Sequence, residues 1–305
     1  MTTRSTATTA TTCRVVCGAL VGLGLVGCGG PVSWEPLPAD SSCYDEFTLY
    51  DGERTAMFCG GDATAQVGSL PHELRRLVIC DATLEDLGAL AQLGSLEHLL
   101  LYDVELPEKL GAVSALRGLR KLDLTGTQTD DWSFLTALAQ LDTLVLVGSN
   151  LPDLSPLAGL TELESLDVAG TTVHDLSPLR DLTKLRRLRL SNTAVTDLAP
   201  LALLGRLEEI RLNGTGVTDL APLAGLRGLR SLDLASTPVT DLTPLEGIKA
   251  LRAVGVYDTV ITFEQRWALE QAVNGPEHDE EDYLVVNVAR PDDWGAYCPI
   301  NQWRE

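Results

Sequence analysis

The 305-residue chain is poor in rings, in histidine and in positive charge. Aromatic residues make up 5% of it, so its core has to be built from aliphatic side chains. Lys and Arg number 23 against 43 Asp and Glu, a formal charge of −20. That balance excludes a nucleic-acid binder, because phosphates are neutralised by a Lys/Arg surface. The four histidines, His72, His98, His174 and His278, are scattered along the chain. It has no His-Glu-x-x-His, no Gly-x-Ser-x-Gly and no phosphate loop, so the residues suggest neither an enzyme nor a metal or cofactor site. The N-terminal apolar stretch, Val15 to Val26, is shorter than the about 20 residues that cross a bilayer as a helix. What the chain does have is 45% apolar and 22% charged residues, the composition of a folded protein with a sizeable core.

The first 30 residues read as an address. Arg4 and Arg14 precede the apolar stretch, as in an export signal, and the segment ends Leu25-Val26-Gly27-Cys28. This ending resembles the bacterial lipobox. The resemblance implies cleavage before Cys28, diacylglycerol on its sulfur, acylation of the new N-terminus and anchoring in the cell envelope. Two or more acyl chains hold stably where one does not. Loss of residues 1–27 removes two Arg and no acid, which brings the charge to −22. Gly29 follows the Cys where Asp would resemble an inner-membrane retention signal, so an outer membrane or cell surface is expected. Residues 28–42 are expected to be a tether and 43–73 an N-terminal cap.

From Leu74 to residue 262 the sequence repeats. Compare LRRLRLSNTAVTDLAPLALLGR (185–206) with LEEIRLNGTGVTDLAPLAGLRG (207–228). Nine units begin at Leu74, Leu96, Leu119, Leu141, Leu163, Leu185, Leu207, Leu229 and Leu251, each start 22 residues after the last except for a 23-residue step from Leu96, and the ninth unit breaks off at 262. The form L-x-x-L-x-L-x-x-T-x-V-x-D-L-x-P-L resembles the bacterial leucine-rich repeat, above all its internalin-like variety. Period-2 alternation such as Leu188-Arg189-Leu190 predicts one strand per unit with one face buried. Stacked units then make an α/β solenoid, with a parallel sheet on its concave face and short helical turns or irregular segments on the convex one.

Two polar columns accompany the leucines. The hydroxyls of Thr127, Ser149, Thr171, Thr193, Thr215, Thr237 and Thr259 are placed to satisfy backbone groups where each strand ends. Asp86, Asp131, Asp153, Asp175, Asp197, Asp219 and Asp241 read as caps of the turns that follow, with Pro in the first turn of several, rather than as a cation ladder.

The resemblance implies that residues beside and between the strand leucines face out from the concave side and bind a protein noncovalently. They divide into an apolar strip, Val78, Leu100, Tyr102, Val145 and Val147, and an arginine group, Arg187, Arg189 and Arg211, with Arg186 at the edge and Asp123, Asp167, Glu209 and Asp233 around them. Tyr257 and Tyr102 are the aromatic platforms that a cell-wall glycan, the alternative ligand, would need. Arg and Tyr are enriched at binding hot spots.

Residues 263–305 depart from the repeat as a C-terminal cap. FEQRWALEQAVNG reads as a helix ending at Asn274-Gly275, the acidic loop around His278 as solvated, and YLVVNV (283–288) as a last strand. Trp267, Trp294 and Trp303 are expected to cover the open end of the core. Export permits disulfides. Cys43, Cys59 and Cys80 are the candidates; Cys43–Cys59 closes the shortest loop, Cys80 could compete, and Cys298 lies too far along.

Overall fold

The computed structural model describes residues 48–50, 54–274 and 284–287. Cys28, Cys43, His278, Trp294, Cys298 and Trp303 lie outside these described residues.

Each repeat contributes one short strand because its x-L-x core alternates. From Arg76–Cys80 (β3), His98–Tyr102 (β4), Lys121–Asp123 (β5), Thr143–Val145 (β6) and Ser165–Asp167 (β7) the series runs through Arg187–Arg189 (β8), Glu209–Arg211 (β9), Ser231–Asp233 (β10) and Ala253–Gly255 (β11). The central residues, Leu77, Leu99, Leu122, Leu144, Leu166, Leu188, Ile210, Leu232 and Val254, pair in one unbroken register and are fully buried. At about 25 cal/mol per Å2 of apolar surface removed from water, such a ladder is what holds the units together. No unit could hide its leucines alone.

The sheet outruns the nine repeats. Thr55–Cys59 (β2) adds parallel to β3, Val285–Asn287 (β12) adds parallel to β11, and Thr48–Tyr50 (β1) pairs antiparallel with β2. Twelve strands therefore lie in chain order, eleven of them parallel and spanning about 48 Å at the usual strand spacing. Both flanking segments continue the core instead of merely covering its ends.

On the convex side the chain returns through 3-10 turns, for example Ser155–Leu157, Ala199–Leu201 and Thr243–Leu245. The aspartate column leads into them. In seven units the Asp Oδ1 accepts the N–H two residues on, at 2.7 to 2.8 Å, which satisfies the first orphan donor of the turn. The intervening residue, Leu in six units and Trp132 in the seventh, sits at the cap position itself, one residue later than expected from sequence. The units from Leu96 and Leu251 carry Lys109 and Phe263 where the other seven have Asp.

The hydroxyl column turns inward. Thr171, Thr193, Thr215 and Thr237 are buried, and each donates to the carbonyl three residues back, at 2.6 to 2.7 Å. Ser149, lacking the methyl that fixes the threonine rotamer, has a buried hydroxyl without a partner.

A third column was not read from the sequence. Asp81, Asp103, Gly126, Gly148, Gly170, Asn192, Gly214, Ser236 and Asp258 all have positive φ, between 48° and 76°. Here the chain leaves the strand sharply, a conformation that Gly, Asn and Asp adopt most readily.

The C-terminal helix spans Phe263–Asn274, as expected. It starts with a capping box: the Thr262 N–H donates to Gln265 Oε1 at 2.9 Å, and the Gln265 N–H to Thr262 Oγ1 at 3.3 Å. At its end buried Asn274 accepts the N–H of Leu284 at 2.7 Å and so ties the helix to β12. Leu269 and Val273 face the core. Trp267, expected to cover apolar surface, is instead 54% exposed, because a position two before Leu269 falls on the solvent side of the helix.

Candidate functional site

Outward residues of the sheet form two main rows. The first runs Arg76, His98, Lys121, Thr143, Ser165, Arg187 and Glu209; the second runs Val78, Leu100, Asp123, Val145, Asp167, Arg189, Arg211 and Asp233. Rigid strands fix their spacing, so the chemistry of this face depends on which side chains are already engaged.

The apolar end is closed. A disulfide joins Cys59 to Cys80, with Cα atoms 4.6 Å apart, in place of the expected Cys43–Cys59 pairing. The two cysteines are register partners on adjacent strands, β2 and β3, which puts them side by side although 21 residues apart. Val78, Leu100 and Tyr102 pack with this disulfide and with Met57. Each is 8% exposed, so Leu100 and Tyr102, expected as contact residues, are covered by one another and by the cystine. The Tyr102 hydroxyl is buried beside Asp123 outside hydrogen-bonding geometry. Burial, reinforced by that carboxylate, pushes its pKa well above the usual phenol value. Val145 and Tyr257 remain half-buried and within reach of a ligand.

The arginine group is divided. Arg189 lies 3.6 Å from Asp167 and 3.3 Å from Glu209, and Arg211 lies 2.9 Å from Glu209. Asp233 is buried next to Arg211. These groups form one alternating chain of charge across β7 to β10, each arginine braced between carboxylates. Burial holds Asp167 above the usual carboxylate range, opposed by the Ala169 N–H and by Arg189 and Arg211. Asp233 is raised for the same reason, opposed by the Ala235 N–H and Arg211. Asp123, 3% exposed, is raised by burial as well, although the Thr125 hydroxyl and N–H both donate to it. Arg186, at the edge, pairs with Glu208 at 2.7 Å.

Arg187 belongs to the other row. That row carries a basic run which the sequence reading passed over: Arg76, His98 and Lys121 on consecutive strands, then Arg187 three strands on. Arg76 donates to His98 Nδ1 at 3.1 Å, so this nitrogen carries no proton. Burial first, then the charges of Arg76 and Lys121, hold the His98 pKa below its ordinary value. Lys121 is likewise held down, chiefly by burial and further by Arg76 and Arg187, against the pull of Asp123 and Asp142. Aligning the units on the position before each central leucine would have exposed this run; the 23-residue unit shifts it by one.

Among the described residues, no three His, Cys, Asp or Glu stand together as metal ligands, and no helix is long and apolar enough to cross a membrane.

Residues 161–203 and 206–247 match the family described as leucine-rich repeats in two copies. An internalin, InlF, of Listeria monocytogenes is similar over 72% of this chain and 78% of its own, with 21% identity and a TM-score of 0.57. Internalin C2 of the same organism is 30% identical over 56% of this chain and 74% of its own, with a TM-score of 0.52. A leucine-rich-repeat protein of Leptospira interrogans covers 72% of this chain and 57% of its own, at 22% identity and a TM-score of 0.63. No curated protein sequence matches.

Proposed function

We propose, starting from a chain that belongs to the leucine-rich-repeat family, that it is a noncovalent protein-binding module whose contact surface is the concave face of its sheet. The observation that carries this reading is the outward face of β5 to β9. Apart from buried Asp123, it is a rigid array of half-exposed charged and small polar side chains around Val145, with no internal element packed over it among the described residues. Rigid positioning lowers the ordering cost of association, and Arg187, Arg189 and Arg211 supply the residue type favoured at interface centres. Tyr257, half-buried beyond β11, extends the surface toward the C-terminal end. A cell-wall glycan is the weaker alternative: with Tyr102 buried, it keeps Tyr257 alone of its two stacking platforms.

The module is held at the bacterial cell envelope by acyl chains on Cys28, at an outer membrane or the cell surface rather than the inner membrane. This rests on the lipobox-like Leu25-Val26-Gly27-Cys28 behind an apolar stretch. If Cys28→Ala still takes up labelled palmitate and partitions with membranes, the anchor is elsewhere.

For the binding face, a photo-crosslinking residue placed at Val145 should capture a protein on intact cells, whereas one at the convex, exposed Ala158 or Ala202 should not. Capture from the convex positions without capture from Val145 refutes the assignment.

A further inference from the structure

Three of the four arginines at and beside β8 and β9 are neutralised in place: Arg186 by Glu208, Arg189 by Asp167 and Glu209, Arg211 by Glu209. Arg187 is not. Among the described residues no carboxylate oxygen lies within 4.0 Å of its guanidinium, and none within that distance of the Lys121 ammonium.

These two cations stand in the same row, with β6 and β7 between them. The two intervening residues of that row are Thr143 and Ser165, short hydroxyl side chains, so Lys121 and Arg187 rise on either side of a low polar floor. Three strand spacings, about 14 Å, separate the backbone positions that carry the two cations. An extended peptide advances about 3.4 Å per residue and returns to the same face every second residue, so positions i and i+4 are spaced about 14 Å apart on one side.

The geometry points to a partner segment in extended conformation, crossing the strands, with two carboxylate side chains four residues apart: one over Lys121, the other over Arg187, and the residue midway over Thr143 and Ser165. The second row sharpens the choice of ligand. Asp123 and Asp167 flank Val145 one pleat away, so a polyanion charged along its whole length would meet repulsion there. A peptide can set its two acids on the cations and lay an apolar neighbour on Val145. Burial and the proximity of other cations depress Lys121, and an incoming carboxylate would relieve that penalty.

This inference rests on the concave face being the binding surface, and the test separates the two. The full chain is titrated with fluorescent nine-residue Gly/Ser peptides carrying two glutamates at separations of two, three, four or six. The separation of four should bind most tightly, about fivefold or more above a separation of three, which turns the acids to opposite faces. Lys121→Gln and Arg187→Gln should each weaken that peptide about fivefold, with Arg186→Gln unchanged as the edge control. Lys121→Glu should recover binding of a peptide whose matching glutamate is replaced by lysine. Urea midpoints of all variants guard against unfolding.

Equal affinity for every separation, no detectable binding at millimolar peptide, indifference to both substitutions, or tighter capture of inorganic polyphosphate through the same residues would each overturn the assignment. If crosslinking from Val145 on cells persists undiminished in the Lys121→Gln, Arg187→Gln double variant, the inference fails and the concave-face reading stands. If Val145 in the unmodified protein crosslinks nothing, the concave-face reading itself fails.

Discussion

Gly214 offers a quantitative test of how one repeat constrains the next. The chain leaves β9 with φ of 70° at this residue, and a Cβ added there would lie 2.3 Å from Oδ1 and 3.3 Å from Cγ of Asn192, one repeat earlier in the same column. Two costs attach to Gly214→Ala. An alanine in the left-handed region loses about 1 kcal/mol relative to glycine. The Asn192 side chain is exposed and meets the new Cβ with its terminal oxygen, so turning it aside adds only about 0.5 to 1 kcal/mol of rotamer strain. The single substitution should therefore cost about 1.5 to 2 kcal/mol. Asn192→Gly removes the obstructing side chain at a position, φ 55°, where glycine is unstrained. In that background Gly214→Ala should cost only the backbone part, about 1 kcal/mol, a coupling of about 0.5 to 1 kcal/mol. Urea unfolding followed by far-UV circular dichroism at 25 °C measures all four proteins. Equal cost in both backgrounds would refute the inter-repeat contact, and no cost in either would refute the left-handed turn.

Thr215→Val removes a hydroxyl whose acceptor, the Leu212 carbonyl, also receives the Thr215 N–H at 3.1 Å. The loss should thus be that of one hydrogen bond, about 1 kcal/mol, while Ser149→Ala, which deletes a hydroxyl without a partner, should be neutral or stabilising; equal effects in thermal melts would contradict this. The pH dependence of stability has two opposed parts. Asp131, Asp153, Asp175 and Asp241 are held below 3.8 by the hydroxyl and N–H of the Ser or Thr two residues on. Their stabilisation is present above that value and is lost as pH falls below it. Asp123, Asp167 and Asp233 are held above 3.8 by burial. Their stabilisation is complete below 3.8 and is lost as pH rises through their raised values. The two parts change over at 3.8, so stability should peak near about pH 4 and fall as pH rises through the raised values, and Asp123→Asn should flatten that fall. A midpoint that rises steadily from pH 4 to 7 would show the buried acids to be unimportant.

The sequence carried the repeat openly because one residue type, leucine, performs one task at a fixed period, and Leu188 is legible from Leu166 and Ile210. The turn column was hidden because four residue types, Gly, Asn, Asp and Ser, meet the same backbone demand. Cys80 shows a different blind spot. Loop length along the chain favoured Cys43–Cys59, but in a solenoid nearness is counted in repeats, and a separation of 21 is one step sideways. That same step buried Leu100 and Tyr102, which in isolation read as an open apolar strip. The division of Arg187 from Arg189 is not legible along the chain: both are strand arginines two residues apart, and only the acids across the sheet tell them apart.

The covalent tie between β2 and β3 gives the molecule a polarity. In a stack where each unit touches only its neighbours, opening proceeds from the ends inward, and the two ends here are unlike. One is stapled by Cys59–Cys80; at the other, among the described residues, the helix Phe263–Asn274 is joined to β12 through Asn274 and Leu284. Fraying should then enter from the C-terminal side, so that amide exchange is slowest near β3 and quickens toward β11, and reduction of the disulfide should even out the gradient. Lys121, on β5, would stand on the slow side of that slope, and Arg187, on β8, nearer its fast end.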